Sequence, residues 1–334
     1  MKPTELCARC GKCLVACPVF KATRRETFSP RGRLMALEEK KASFSFWASC
    51  LLCGACEKTC PNNVPLLETL VKAKLAHPIP TRYLLAAADK LKPIASERFS
   101  IKKELVSLKG KKIAIFLGCG GELLYPQAIK HLISLCPRPA DLFVPQEQTC
   151  CGLPFLAAGD EKAFKEHLET NLKAFKQAEL IITLCASCLF TLKKIYPAFT
   201  GDDGISAKTL DAMAYLAKNQ DLEFSVPKED IFFQVPCHLK NLDTFPWWRD
   251  LGLLYYEGCC GQAGAFGYLF SKKAEQIRRP LFKEIEKSKP RYLATACTSC
   301  LLALKKAFPT FPAKMVIEYL KTFIDPRFSL KREP

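Results

Sequence analysis

The sequence contains no G-x-G-x-x-G dinucleotide fingerprint, no Walker loop and no clear nucleophile triad. A nucleotide or flavin cofactor, if one is needed, would therefore belong to another chain. No charge-free apolar run approaches the ~20 residues that span a bilayer, and "MKPTELC" reaches its first cysteine without a signal-peptide apolar segment. The expectation is a soluble, cytosol-facing protein. Helix-turn-helix and aromatic RNA-binding signatures are missing too, so no nucleic-acid partner is expected. Acidic residues are scarce: 33 Asp and Glu stand against 50 Lys and Arg, a formal net charge of +17. The excess persists in residues 271–334, which hold 15 basic and 6 acidic side chains. Such a segment suits an acidic partner subunit, anionic lipid or nucleic acid, with a merely solubilising surface as the competing account.

Cysteine is abundant, at 19 of 334 residues. A disulfide framework does not fit a chain this long in a reducing compartment, so metal ligation is the better reading. In "CARCGKCLVACPVF" the thiols fall at Cys7, Cys10, Cys13 and Cys17, followed by Pro18. The spacing recurs in "CLLCGACEKTCPNNV" at Cys50, Cys53, Cys56 and Cys60, followed by Pro61. Three thiolates two residues apart wrap one iron–sulfur cube, while the fourth, turned away by its proline, reaches the other. The sets therefore interleave: Cys7, Cys10, Cys13 and Cys60 for one [4Fe–4S] cluster, Cys50, Cys53, Cys56 and Cys17 for the second. Paired C-x-x-C units also bind zinc, but the duplicated three-plus-one run with its prolines favours the cubes. Each cube with four thiolates carries about −2, which offsets part of the basic charge. Between the halves, Ser29 and Pro30 of "SPRGRLMALEEKK" are placed to start a helix.

Past residue 65 the apolar spacing is helical and broken by prolines, which reads as a connector. An internal repeat begins near residue 110. Its first copy runs "KKIAIFLGCGG", "DLFVPQEQTCCGLP", "ELIITLCASCLFTLKK"; its second runs "EDIFFQVPCHLKN", "LLYYEGCCGQAG", "RYLATACTSCLLALKK". Strand-like runs alternate with helical ones, such as 160–179 with Phe164, Leu168, Leu172 and Phe175 on one face. Two small α/β domains with largely parallel sheets follow, with every cysteine of the repeat at a strand's carboxyl end. Each copy supplies five thiols: Cys119, Cys150, Cys151, Cys185 and Cys188, then Cys237, Cys259, Cys260, Cys297 and Cys300. Adjacent cysteines grip neighbouring irons of a cluster better than one tetrahedral ion, and the glycine after each pair lets backbone approach closely. The organisation read from the sequence is a ferredoxin-type module over 1–75, a helical connector over 76–110, and repeats over 111–225 and 226–334. Cys136, which has no counterpart, reads as a small core hydrophobe, and Pro280 predicts a kink or break in its helix.

These residues carry a resemblance over nearly the whole chain. The two-cluster ferredoxin order, "SPRGR", "FLGC", "PQEQTCCG", "PCHL" and "CCGQAGAFG" resemble the iron–sulfur subunits of glycolate oxidase. More widely they resemble the cysteine-rich CCG-domain family, whose members serve anaerobic glycerol-3-phosphate dehydrogenase, lactate utilisation and heterodisulfide reductase. The resemblance implies an α/β protein with a small α-helical ferredoxin domain, acting as the electron-transfer subunit of a flavin-dependent glycolate or lactate dehydrogenase. It implies an FAD-containing partner, quinone or another carrier as acceptor, and a further carrier or membrane-associated subunit that could hold the complex at the inner membrane face. It also implies that complete CCG motifs bind noncubane [4Fe–4S] clusters through five cysteines, for up to two clusters beyond the cubanes. In the glycolate oxidase subunits the last C-x-x-C is often incomplete. Here "CTSC" keeps both members, which shifts weight toward the alternative, a heterodisulfide-reductase-like subunit reducing or forming a disulfide.

Other candidates are weaker. His238 could tune a cluster or move a proton, or be a helix-start residue bonded to backbone. Arg31 and Arg33 could donate to cluster sulfides, face a partner, or form a solvated ion pair. Trp247 and Trp248 read as packing residues.

Overall fold

The computed structural model describes residues 2–39, 42–89, 101, 102, 104–108 and 110–321. Part of the predicted connector (90–100, 103 and 109) and residues 322–334 of the basic C-terminal segment lie outside the described residues.

Two four-stranded, all-parallel sheets follow an N-terminal bundle of short helices. The first has order β2-β1-β3-β4, with β1 Ile113–Phe116, β2 Leu142–Phe143, β3 Leu180–Thr183 and β4 Thr209–Asp211. The second repeats that order as β6-β5-β7-β8, with β5 Ile231–Gln234, β6 Leu254–Tyr256, β7 Tyr292–Thr295 and β8 Ala313–Met315. The central strands β1 and β5 are buried at every position, as parallel strands covered on both faces must be. In each sheet the connection reverses direction between β1 and β3, or β5 and β7, and opens a crevice at the strands' carboxyl ends. Cysteines follow β1, β2, β3 and β5, β6, β7 there; the outer β4 and β8 deliver none.

Helix Glu161–Ala174 buries Phe164 and Leu168 on the face read from its periodicity, and the Asp160 carboxylate accepts the Ala163 N–H at 3.0 Å as its cap. Pro30–Glu39 starts where expected, with Ser29 Oγ accepting the Gly32 N–H. Cys136 is buried beside the Tyr215 hydroxyl, and Trp247 and Trp248 are buried in edge contact, 5.8 Å between centroids. Of the kink or break predicted at Pro280, the break does not occur: Ser271–Ser288 is a single helix. Pro280 lies on its exposed side, while Ala274, Ile277, Leu281 and Ile285 bury the other. That packing offsets one lost backbone hydrogen bond.

Asp211, at the end of β4, is buried and accepts the Met213 and Ala214 N–H groups at 3.0 and 3.2 Å. The Trp247 indole lies alongside without reaching hydrogen-bond geometry. Burial outweighs these donors and raises the carboxyl to about 7. Between the unfolded value of ~3.9 and about 7 the folded chain holds a proton that the unfolded chain does not. Stability is therefore expected to fall as pH rises through that window, by up to ~1.4 kcal/mol per pH unit. Anaerobic urea unfolding between pH 5 and 7.5 checks this; Asp211→Asn, which keeps an acceptor for the cap, flattens the profile.

Candidate metal centres

The two C-x-x-C-x-x-C loops share their left-handed positions. Arg9 and Gly11 take φ of +53° and +78°, and their counterparts Leu52 and Gly54 take +51° and +74°. Paired left-handed residues bend the chain so that successive N–H groups face inward, a concavity suited to anionic sulfide and thiolate. Glycine serves the second position without strain.

One cavity is lined by Cys7, Cys10, Cys13 and Cys60 together with Arg31 and Leu34. Cys10 is exposed, so this is the outer quartet. A second cavity is lined by Cys17, Cys50, Cys53 and Cys56 with Arg33, Leu52 and Leu67. Cys56 is buried there, and burial pushes the Cys17 thiol up to about 11 and raises Cys53 and Cys56 as well. Each quartet thus joins three cysteines of one run with the fourth of the other. Soft thiols without a compensating acid or histidine suit an iron–sulfur cube, and a metal must displace their protons to bind.

The two arginines of "SPRGR" part company. Arg31 donates to the Arg9 carbonyl and pairs with Glu26 at the surface. Arg33 is buried: it donates to the Phe28 and Phe46 carbonyls and to Ser49 Oγ at 2.8 Å, with its guanidinium 4.9 Å from the Phe46 ring centroid. Its burial lowers its pKa, while Cys50, Cys17 and Cys56 raise it. Neither a partner contact nor a solvated ion pair describes it; it is a fixed cation behind the inner quartet. Lys74, buried in the helix Leu66–Leu75, donates at 3.2 Å to both the Ala48 and Ala157 carbonyls, and burial lowers it to about 8. It ties the helical module to the first repeat.

Both repeats open onto one chamber. Cys119, Cys151, Cys185, Cys188, Cys237, Cys259, Cys260, Cys297 and Cys300 line it, along with Leu51, Leu52 and His238. Cys150 is not part of that lining, and its thiol interacts electrostatically with that of Cys119. The C-x-x-C segments cross: Cys185 Sγ lies 3.3 Å from Thr298 Oγ1, and Ser187 Oγ lies 3.3 Å from Cys297 Sγ. Thiol neighbours lower Cys150, Cys185 and Cys260, by way of Cys119, Cys188 and Cys300 respectively, and raise those partners. The glycines after the paired cysteines meet helices: a Cβ on Gly152 would lie 2.7 Å from the Phe164 ring, and one on Gly261 2.6 Å from the Ala274 carbonyl oxygen. They let the Cys-Cys loops seat against the following helix.

His238 sits between the modules. It is buried and stacked on Phe190 at 4.5 Å, with Nδ1 2.9 Å from Ser187 Oγ and Nε2 3.2 Å from the Leu52 carbonyl oxygen. Burial lowers its pKa, leaving a neutral ring that donates from Nε2 to Leu52 and accepts at Nδ1 from Ser187. Asn241 donates to the Cys53 carbonyl at 2.7 Å. Ser187 and Thr298, the intervening residues of "CASC" and "CTSC", went unnoticed in the sequence. So did Asn171, which accepts the Thr149 N–H and donates to the Cys150 carbonyl, because a polar residue inside a helical run carries no signal of what it clamps.

A cavity of about 590 Å³ lies elsewhere, between Leu66–Leu75 and the first repeat; no thiol lines it. No described helix is long and apolar enough to cross a membrane.

Comparison with known proteins agrees with this layout. A 4Fe-4S dicluster domain matches residues 3–64, and a cysteine-rich domain matches 113–193 and 250–305. A fumarate reductase (CoM/CoB) subunit from Methanothermobacter marburgensis is 26% identical over 342 residues, covering 90% of this chain and 67% of that protein. An uncharacterized iron–sulfur protein of Methanococcus maripaludis is 23% identical over 338 residues, with the same coverage of each chain. "Lactate utilization protein A" of Geobacillus thermodenitrificans is 27% identical over 218 residues, covering 57% of this chain and 89% of its own length. With a dicluster domain leading into two copies of the cysteine-rich repeat, the chain belongs to the CCG-domain family of iron–sulfur oxidoreductase proteins.

Proposed function

We propose that the chain is the iron–sulfur electron-transfer subunit of a flavin-dependent 2-hydroxy-acid dehydrogenase, taking electrons from an FAD-containing partner toward quinone or another carrier. In this reading Cys7, Cys10, Cys13 and Cys60 hold the outer cubane, and Cys17, Cys50, Cys53 and Cys56 the inner one. The ten thiols of the repeats hold up to two further clusters, Cys119, Cys150, Cys151, Cys185 and Cys188 in one set, Cys237, Cys259, Cys260, Cys297 and Cys300 in the other. Iron–sulfur clusters supply one-electron storage and release at a potential that the protein tunes. The observation that carries the reading is the shared wall: Leu52 lines both the inner-quartet cavity and the chamber of the repeats. Cys53 and Cys259 pack against the same apolar cluster beside it. A relative named for lactate utilization supports the 2-hydroxy acid. The residues hold Arg33 as a counter-charge behind the inner quartet and set the hydroxyls of Ser187 and Thr298 and the His238 ring among the thiols of the chamber. The working place is the cytoplasm, or the inner membrane face through partners.

The expected result is that the purified chain, with clusters, does not reduce a dye with lactate or glycolate, and does so once the flavoprotein is added. Turnover by the flavin-free chain alone overturns the reading.

A second reading is favoured by the convergence of nine thiols on one chamber and by the relative named for fumarate reduction with CoM/CoB. There the chamber takes a disulfide, whose reduction to two thiols consumes two electrons and two protons. Disulfide turnover by the dithionite-reduced chain, without any flavoprotein, would select it over the relay.

A further inference from the structure

The sequence places its basic excess at two ends of the chain, and the fold brings them together. Residues 2–25 carry six basic side chains and one acidic, Glu5. Arg9, Lys12, Lys21, Arg24 and Arg25 are all exposed. The helix Pro18–Thr23 packs against Ser271–Ser288 through Val19, Ala274 and Ile277, which sets Lys272 and Lys273 beside it. Lys273 lies over the Phe28 ring, 4.1 Å from its centroid. Burial, and then the charges of Arg33 and Arg25, lower its pKa, as expected of a cation among cations. Arg31 bonds both the Arg9 carbonyl and Glu26, holding the Cys7–Gly11 loop next to the segment that carries Arg24 and Arg25. Among the described residues, none of these exposed cations forms an ion pair with a carboxylate; of the acids in these segments, Glu5 accepts the Lys2 backbone N–H, Glu26 is taken by Arg31, and Glu275 is exposed.

Two further features mark the same face. Cys10 is the only exposed thiol of the two quartets, so the outer quartet comes to the surface here. Val15, one turn from Lys12 on the helix Lys12–Ala16, is 67% exposed, a bare apolar side chain within the basic surround. An unpaired cationic rim around a small apolar spot, at the point where a redox site comes to the surface, is the arrangement that steers an oppositely charged protein into a short-lived complex.

We propose that the face formed by Arg9, Lys12, Lys21, Arg24, Arg25 and Lys272 docks an acidic one-electron donor protein, so that electrons enter at the outer quartet. The proposal rests on the electron-transfer reading above and gives it an entry point and a direction, from the outer quartet to the inner quartet to the chamber. The face is centred on the N-terminal module, and the helix Ser271–Ser288 of the basic C-terminal segment contributes Lys272 to it.

The test uses the full cluster-loaded chain and flavodoxin as an acidic flavoprotein probe. Each productive encounter oxidises the anionic flavin hydroquinone to its neutral semiquinone, and a cubane gains that electron with no proton transferred. Association and stopped-flow reduction are followed from low to high ionic strength. The wild-type chain is expected to weaken steeply with salt, and R9E/K12E/R25E to associate at least about tenfold more weakly at low salt with a flattened slope. R9Q/K12Q/R25Q falls between. K162E/K173E/K176E, on and just past Glu161–Ala174 in the first repeat, retains most of the wild-type affinity. If the first variant matches wild type, or the control loses as much, the face is wrong. Iron and sulfide content and the dithionite-reduced paramagnetic signal are read on every variant. Loaded, reducible clusters with an indifferent N-terminal face overturn the docking proposal alone, whereas a chain that binds no cluster overturns the electron-transfer reading with it.

Discussion

Cys17→Ser is expected to remove the inner cubane and leave the outer one, although Cys17 belongs to the first cysteine run. In the fold it lines the cavity of Cys50, Cys53 and Cys56, while Cys60 of the second run lines that of Cys7, Cys10 and Cys13. Cys60→Ser should give the reciprocal loss. Each variant should lose up to about four irons per chain with the matching sulfide, and the reduced-state paramagnetic spectrum should lose one component, a different one in each. The inner loss should also lower stability more. Cys17 and its neighbours are largely removed from solvent, and without a metal their thiols face one another with only Arg33 and Lys74 as nearby cations. Loss from Cys17→Ser of the component that Cys7→Ser removes would contradict the interleaved sets. Zinc without labile sulfide in the wild-type chain would sink the cubane assignment altogether.

His238→Leu is the second substitution with a large expected effect. It removes the donor to the Leu52 carbonyl and the acceptor for Ser187, at a buried position between three modules. Leaving the Leu52 carbonyl unpaired costs about 1–3 kcal/mol, Ser187 keeps only its contact with Cys297, and the left-handed Leu52 backbone loses the contact that fixes its carbonyl. The urea midpoint should fall and the reduction potential of the inner cubane should shift. His238→Gln, whose amide can still donate toward Leu52, should recover part of both. A leucine variant with wild-type stability and potential would show that the imidazole is only filling space.

The ferredoxin quartets were legible because the constraint is local. C-x-x-C-x-x-C places three thiols on one loop, and the proline after the fourth cysteine turns that thiol out of its own loop. The repeated α/β architecture was legible for the same reason: β-rich runs of four or so residues, each ending near a cysteine, recur in one order. The unbroken helix through Pro280 shows the limit, because the propensity of one residue was overruled by the apolar face that Ala274, Ile277, Leu281 and Ile285 bury.

By itself, then, the sequence determined the chemistry available: soft thiol ligands in the spacing of two cubanes, five thiols in each repeat, and no motif of its own for flavin or nucleotide. The tertiary structure alone decided that the two five-thiol sets open onto one chamber, that Leu52 is the wall between that chamber and the inner quartet, and that Arg33 is buried while Arg31 stays at the surface. It alone packed Pro18–Thr23 against Ser271–Ser288 and so brought basic residues from both ends of the chain together. These are contacts between segments as much as 260 residues apart. Ligand spacing is a property of one short stretch of backbone and survives in the sequence. Convergence is set by how two sheets and a helical module bury their apolar faces against one another, and no local pattern records which residues that packing brings within reach.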